Sequence, residues 1–298
     1  MNQEIISHNS INKLVIDIFN SIDVSNATKK EYLNRIKLFI VFIKGKEINN
    51  NSFLEYKHYL RDRNDFATAT KNKYLATSRV FLKELTRRGY IPVDITLNIK
   101  TFNQSKKHKI EGLKQAEIEH IVEELNRLPL TPKNARKKAF FCLLALQGLR
   151  QIEIIRLGFK DIDFVNKTIL VKGKGMDDKE IVYLAPQTVK KLKDYIKISK
   201  IRSGSLFQSL GNRKRERLST MTIKREMGEL FEKIGISKTV HGFRHYFITK
   251  LLENLDVRDA RKFSRHKSLE MLIVYDDEID LREKSSVVFE CFSALNVT

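Results

Sequence analysis

The chain contains no tryptophan and only two cysteines in 298 residues, and it has no uncharged apolar run long enough to span a bilayer. Cys142 and Cys291 are too few for a disulfide scaffold or a cysteine-built zinc site. Cys142, set in Ala139-Phe140-Phe141-Cys142-Leu143-Leu144, reads as a small core residue. The opening residues lack the charged-then-apolar order of a secretory leader. There is no low-complexity tract and no repeat at solenoid periods. Together these absences point to a cytoplasmic protein that needs no membrane. Negative charge is also scarce: 36 Asp and Glu face 56 Lys and Arg, for a net charge of +20 and a pI near 9.8.

An apolar content of 42% with 31% charged residues fits a folded globular chain, and the length suffices for two ordinary cores. The basic excess is spread along the chain. Residues 1–100 carry 17 Lys/Arg against 10 Asp/Glu, and residues 101–298 carry 39 against 26. Net charges of +7 and +13 are what two parts gripping one polyanion would show. A generally lysine-rich composition would give the same excess, so charge alone leaves both readings open.

Periodicity divides the chain at about residue 100. Before it, Thr28-Lys29-Lys30-Glu31 has the order of a capping box. Tyr32, Leu33, Ile36, Phe39, Ile40 and Ile43 then follow at helical spacing as one apolar stripe. Ser52-Phe53-Leu54-Glu55 repeats the capping pattern. A third helix, with Tyr74, Leu75, Phe81, Leu82 and Leu85, ends near Gly89, which suits a left-handed cap. Its polar side offers Lys71, Lys73 and Arg79 as DNA-facing candidates, although a basic helix face is more often only solvated. Residues 100–112 lose periodicity and carry Lys106 and Lys107, as a basic linker running along phosphates would.

Beyond the linker the pattern predicts helices over 114–127 and 134–147. Residues 159–184 alternate like strands, with Thr168-Ile169-Leu170-Val171 and Glu180-Ile181-Val182-Tyr183-Leu184 on either side of a Gly-Lys-Gly turn. Helices are expected again at 187–200, 220–234, 242–253 and 257–263, with a short one leading to Tyr275. The expected fold is mainly α (α+β): a helical domain over 1–99, the linker over 100–112, and a mostly helical domain with a small antiparallel sheet over 113–298.

The residues that carry chemistry are Arg150 and Glu153 in Gly148-Leu149-Arg150-Gln151-Ile152-Glu153, Lys174 in Gly173-Lys174-Gly175, His241, Arg244 and His245 in His241-Gly242-Phe243-Arg244-His245, then His266 and Tyr275. Metal-free cleavage of a phosphodiester needs a nucleophile, neutralisation of the phosphate and an acid for the leaving oxygen. Arginine suits the second task, because its planar fork donates two hydrogen bonds and keeps its charge. Imidazoles add donors where charge builds in the transition state. A lysine whose pKa falls beside other cations can protonate the leaving group. A tyrosine among such cations reaches its phenolate more readily. Each residue has an ordinary reading as well. Arg150 could pair with Glu153 on a surface helix, Lys172 and Lys179 rival Lys174, His245 could be core, and Tyr275 could be a packed aromatic with Tyr246 as the nearest other nucleophile. The seven histidines offer only His241 and His245 as a pair at helical spacing, with no carboxylate beside it as base, so no metal site is expected.

The order Arg, Lys, His-x-x-Arg, His, Tyr resembles that of the tyrosine recombinases, the group of phage integrases, Cre and the Xer proteins. Gln147-Gly148-Leu149-Arg150 is similar to that family's Thr-Gly-Leu-Arg. The resemblance implies that Tyr275 is the nucleophile, that Arg150, Arg244, His241 and His266 hold the phosphate, that Lys174 is the proton donor, and that Glu153 and His245 support them. It also implies a core-binding domain followed by a catalytic domain, a 3′-phosphotyrosyl intermediate, and no cofactor. The expected partner is double-stranded DNA with inverted half-sites, bound by a homo-tetramer that passes a C-terminal helix between subunits, and a partner recombinase or accessory proteins are compatible with it. With no arm-binding domain before residue 10, the simple Xer-like type is expected. Two departures stand out: Gln151-Ile152 replaces the usual small polar residue after the first arginine, and Arg265 replaces the glycine usual before His266, where a side chain is expected to shift the turn. A DNA-binding regulator of the same fold and a relaxing topoisomerase are the alternative functions.

Overall fold

The computed structural model describes residues 8–104, 112–173, 175–176, 178–210, 215–270 and 272. The chain forms two compact units, Met1–Lys106 and Lys107–Thr298.

The first unit consists, among the described residues, of α1 (His8–Ser21), α2 (Asn26–Phe42), α3 (Ser52–Asp62) and α4 (Thr68–Arg87). The apolar stripe of α2 faces inward. Ile36, Phe39, Ile40 and Ile43 are buried, with Tyr32 and Leu33 at the margin. They meet Val15, Ile18 and Phe19 of α1, Phe53, Tyr56 and Leu60 of α3, and Leu75, Phe81, Leu82 and Leu85 of α4. Each such side chain contributes roughly 2 kcal/mol by leaving water. Phe39 sets its ring edge against Tyr56 at 4.9 Å. Helix α4 ends at Arg87, with Gly89 following at φ 77°, a left-handed conformation that glycine adopts without strain.

The caps differ from the sequence pattern. Helix α2 is capped by Ser25, whose hydroxyl accepts the Thr28 amide at 3.2 Å, so Thr28 lies inside the first turn. Ser52 is the first residue of α3, and its hydroxyl accepts the Asn49 amide at 2.9 Å. Ser, Thr and Glu recur within first turns as well as at caps, so the four-residue pattern marks a helix start only to within a turn.

The second unit runs α5 (Gln115–Arg127), α6 (Pro132–Ala145), α7 (Gln151–Arg156), a 3-10 turn (Phe159–Asp161), β1 (Ile162–Asp163), β2 (Thr168–Lys172), β3 (Lys179–Tyr183), α8 (Pro186–Ser199), α9 (Thr220–Lys233), α10 (His241–Asn254) and α11 (Val257–Ser264). From Ala135 through Ala145 every residue of α6 except Lys138 is buried, so the helix runs through the core, with Arg136 and Lys137 among its buried residues. It packs against α5, α7, α8, α9 and α10. Phe140 meets Phe207 at 4.7 Å and Phe141 meets Phe243 of α10 at 5.7 Å. A buried ion pair between Arg136 and Glu226 ties α6 to α9.

The three strands pair antiparallel in the order β1-β2-β3, with Ile169 opposite Val182 and Val171 opposite Glu180. Ile169, Val171 and Val182 turn to the core. Glu180 lies two residues from Val182 and therefore on the same face of β3. The mainly helical fold with one small antiparallel sheet is the class that the sequence pattern predicts. Among the described residues no helix is long and apolar enough to cross a membrane.

Candidate active site

Three turns in the second unit converge. The first follows α6. Gly148 stands at φ 57°, and a Cβ there would come within 2.2 Å of Cδ1 of Phe247 on α10. Only glycine meets both conditions, left-handed backbone and a ring in contact. Gln147 fastens this turn to α8 by accepting the Thr188 hydroxyl at 2.8 Å. The chain then enters α7 with Arg150 as its N-cap. Glu153 is fully buried and accepts from Arg150 twice, from the backbone amide at Oε2 and from Nη1 at Oε1, each at 2.8 Å. The Arg150 side chain keeps 30% exposure, so its orientation is fixed from behind while its outer edge reaches solvent.

The second turn opens α10. His241 is its first residue and is exposed, whereas Arg244, one turn on, is only 2% exposed. Arg244 donates from Nη1 to the Gly148 carbonyl at 2.5 Å and from Nη2 to the Ser264 carbonyl at 2.6 Å. His245 turns the other way into the core. A Cβ on Gly112 would fall 2.5 Å from its Nδ1, so this imidazole packs against the backbone at residue 112.

The third turn closes α11. Asp256 caps the start of that helix, accepting the amides of Arg258 at 2.7 Å and Asp259 at 3.1 Å. At the other end Arg265 adopts the left-handed conformation at φ 55°, and the amides of Arg265 and His266 close back on the carbonyls of Lys262 and Arg261. The side chain at 265 was expected to shift this turn. Instead the arginine takes up the glycine-like backbone, and its guanidinium is held by Glu153 at 2.7 Å, with Glu180 of β3 at 3.6 Å.

His266 follows directly, nearly buried, with Nε2 at 3.3 Å from Arg244 Nη2 and Nδ1 at 2.9 Å from the Ser264 hydroxyl. A guanidinium has no acceptor, so this contact requires the lone pair at Nε2 and puts the ring proton on Nδ1. Burial, then the charges of Arg244, Arg150 and Arg265 and the nearby His241, push the imidazole pKa down to about 3. At neutral pH the ring is therefore uncharged and acts by hydrogen bonding. Three guanidinium groups thus act on one imidazole, two of them sharing the buried carboxylate of Glu153, and the balance is positive.

The hairpin that carries Lys174 is tied to α7 where Arg156 donates from Nη1 to the Gly173 carbonyl at 3.0 Å. Lys174 itself and Tyr275 lie outside the described residues, as do Lys106 and Lys107. Of the rival lysines, Lys179 pairs with Asp161. Tyr246 donates its hydroxyl to Gln115 at 2.8 Å, and burial raises its pKa, which holds it away from the phenolate form. Among the helix α4 candidates, Lys73 is exposed. Lys71 donates to the Arg61 carbonyl at 2.7 Å. Arg79 turns inward, donating to the Ile99 carbonyl and lying over the Phe53 ring at 5.3 Å. Among the described residues no three His, Cys, Asp or Glu side chains gather so as to hold a metal ion.

Sequence reasoning passed over the pairing of Arg265 with Glu153, the two acceptors of Ser264, and Arg156 as an anchor of the hairpin. The only advance signal was the arginine where a glycine is usual.

The model of the phage integrase family matches residues 111–281. The tyrosine recombinase XerC of Lactobacillus delbrueckii subsp. bulgaricus is 29% identical over 220 residues, covering 70% of this chain and 72% of the relative. The tyrosine recombinase XerA of Pyrococcus horikoshii is 24% identical over 253 residues, covering 80% and 86%. Among solved structures, XerH site-specific recombinase bound to palindromic difH substrate in a post-cleavage complex superposes with a TM-score of 0.74 at 20% identity, over 94% of this chain and 84% of the other. A lambda integrase dimer bound to a COC′ core site gives 0.67 at 17% identity, over 90% and 76%. At these identities the structural likeness speaks for the fold.

Proposed function

The chain belongs to the phage integrase family of tyrosine recombinases and is Xer-like within it; on that premise we propose that it cuts and rejoins DNA at a specific site through a covalent bond to Tyr275. The observation that carries this reading is Arg244, which joins the Gly148 turn before Arg150 to the Ser264 turn before His266 by two hydrogen bonds. Residues from three distant stretches, each weak evidence alone, thereby form one cationic cluster.

In the proposed reaction a phosphodiester enters the cluster with its non-bridging oxygens toward Arg150 and Arg244. Two fixed guanidinium forks stabilise the charge that builds on those oxygens as phosphorus becomes five-coordinate. His241 adds a hydrogen bond, and His266, uncharged and with its two ring nitrogens engaged by Arg244 and Ser264, steadies the Arg244 fork. The Tyr275 oxygen attacks phosphorus and loses its proton. The bond from phosphorus to the 5′ oxygen breaks, and that oxygen takes a proton from Lys174. The product is a 3′-phosphotyrosyl strand with a free 5′ hydroxyl, whose attack in reverse reseals the same or a new partner strand. Bond energy is kept in the phosphotyrosine, so the cycle needs neither ATP nor a metal.

We assign residues 1–99 to core binding, 100–112 to the linker and 113–298 to catalysis. Lys71, Lys73, Lys106 and Lys107 are assigned to the DNA surface, with Lys73 the best exposed of those on α4, whereas Arg79, turned to the Ile99 carbonyl, is not. The proposed substrate is a duplex with inverted half-sites, one subunit on each, and two such pairs form a tetramer. The palindromic substrate of the XerH complex supports the inverted half-sites.

The test starts with selection of bound genomic fragments, followed by a nicked suicide substrate built on the selected site. Wild-type protein should form a covalent adduct on it, and Tyr275→Phe should bind with unchanged affinity and form none. An adduct persisting in that variant would put the nucleophile elsewhere, and binding without any adduct from the wild type would favour a regulator.

A further inference from the structure

We propose that Arg265 is a positioning residue for the cleavage step, holding Arg150 in place through their shared carboxylate Glu153. The inference rests on the recombinase reading above and extends it to a residue that the family's motif does not supply.

The geometry comes first. Glu153 is fully buried, and its two oxygens serve three donors: Nη1 of Arg150 at Oε1, and the Arg150 amide and Nη2 of Arg265 at Oε2. The carboxylate is thus the hinge between the turn that carries Arg150 and the turn that carries His266. Displacing Arg265 frees one side of that hinge, and with it the angle at which Arg150 presents its outer edge. Glu180, at 3.6 Å from Nε of Arg265, brings strand β3 of the hairpin to the same guanidinium.

The costs of this arrangement indicate that stability is not its main purpose. Residue 265 sits at φ 55°, where glycine is unstrained and any other residue meets its own carbonyl. The guanidinium is 7% exposed, so its charge has lost most of its water. Its Nη1 is buried with no hydrogen-bond partner among the described residues. Glu153 already has a counter-charge in Arg150, so a second cation is not needed to neutralise it. Backbone strain, a desolvated charge and an unmatched donor at one residue are the marks of a position kept for function. What the residue supplies is a rigid second hold on Glu153 and an excess of positive charge where a phosphate must come.

The test compares Arg265→Gly, Arg265→Lys and Glu153→Gln, and the double variant Arg265→Gly/Glu153→Gln, on the nicked suicide substrate. Adduct formation is followed in a single turnover, with affinity and melting temperature measured alongside. Glycine relaxes the backbone, so Arg265→Gly should melt no lower than wild type and bind DNA equally well. Its adduct rate should nevertheless fall by about 10-fold or more, the scale expected when a reacting group is misplaced by a fraction of an ångström. Arg265→Lys, which can still reach one oxygen of Glu153, should recover part of that loss. In the Glu153→Gln background the glycine substitution should cost little more, because residues acting through one group are not additive. A wild-type rate in Arg265→Gly overturns the proposal, as does an equal loss with and without Glu153. A lowered melting temperature with an unchanged rate per folded molecule would mean a structural role and overturn it too. Absence of an adduct from the wild type speaks against the recombinase reading itself and removes the inference with it.

Discussion

Arg244 donates to the carbonyl of Gly148 at 2.5 Å, so the second arginine of the site is fixed to the turn from which the first one starts. The same turn needs a residue without a Cβ, because Phe247, three residues after Arg244 on α10, lies against it. Position 148 therefore sets the spacing between α7 and α10 as well as the path of the chain.

Gly148→Ala should damage both. The left-handed φ costs alanine about 1 kcal/mol, and the Phe247 ring must also move to relieve an approach of 2.2 Å to the added Cβ. A loss of roughly 2–3 kcal/mol by denaturant unfolding is expected, with adduct formation falling further than the folded fraction does. Wild-type stability in the variant would mean that the ring has free room to swing aside.

His266 gives a pH signature. In the unfolded chain an imidazole titrates near 6.5, whereas here it is held down to about 3. Between those values the unfolded chain binds the extra proton, so stability is complete above about pH 6.5 and is lost as pH falls toward 3. Glu117, Glu124 and Glu229 have pKa values below the usual carboxylate range, so they stay ionised over the upper part of this window. Melting temperature measured from pH 7.5 to 4.5 should fall more steeply for wild type than for His266→Gln. Parallel curves would show that the ring takes up its proton freely.

Much of this was legible in the sequence, for identifiable reasons. Helices α5, α9 and α10 begin and end within a residue or so of where apolar spacing puts them, because one face of each must bury Ile118, Ile121 and Leu125, or Ile223, Met227 and Leu230, or Phe243, Ile248 and Leu252. The hairpin was legible from its β-branched runs and turn glycines. Helix α1 was not singled out, although Val15, Ile18 and Phe19 carried the same signal. Caps were less legible, since the hydroxyl of Ser25 could be chosen over that of Thr28 only by geometry. What could not be read were contacts set by tertiary placement. These include Arg79 turning from the expected DNA face to the Ile99 carbonyl, His245 packing on residue 112, and Arg265 crossing to Glu153.

The basic excess on both parts of the chain should appear in the salt dependence of DNA binding. If about 8 phosphates are neutralised, the logarithm of affinity should fall with the logarithm of salt at a slope near −7. Fluorescence anisotropy on a labelled duplex across a salt series measures it directly. A slope near zero would mean that the +20 net charge is not the binding surface.

Arg244→Lys should fail to sustain cleavage, although charge is preserved. The guanidinium spans two carbonyls, those of Gly148 and Ser264, with separate nitrogens while its Nη2 also meets His266. An ammonium is a single point on a flexible stem and cannot occupy both ends of that span. One of the two buried carbonyls would lose its donor, and the turns bearing Arg150 and His266 would lose their common tie. The phosphate would meet one charge instead of a planar fork. Loss of such a donor typically costs about 3 kcal/mol in the transition state, or ~100-fold in rate. DNA affinity should hardly change, since it is spread over many other cations. Single-turnover adduct formation at saturating protein separates the two effects, and a wild-type rate there would remove Arg244 from the reacting phosphate. A rate loss accompanied by an equal loss of affinity would instead assign this arginine to DNA binding alone.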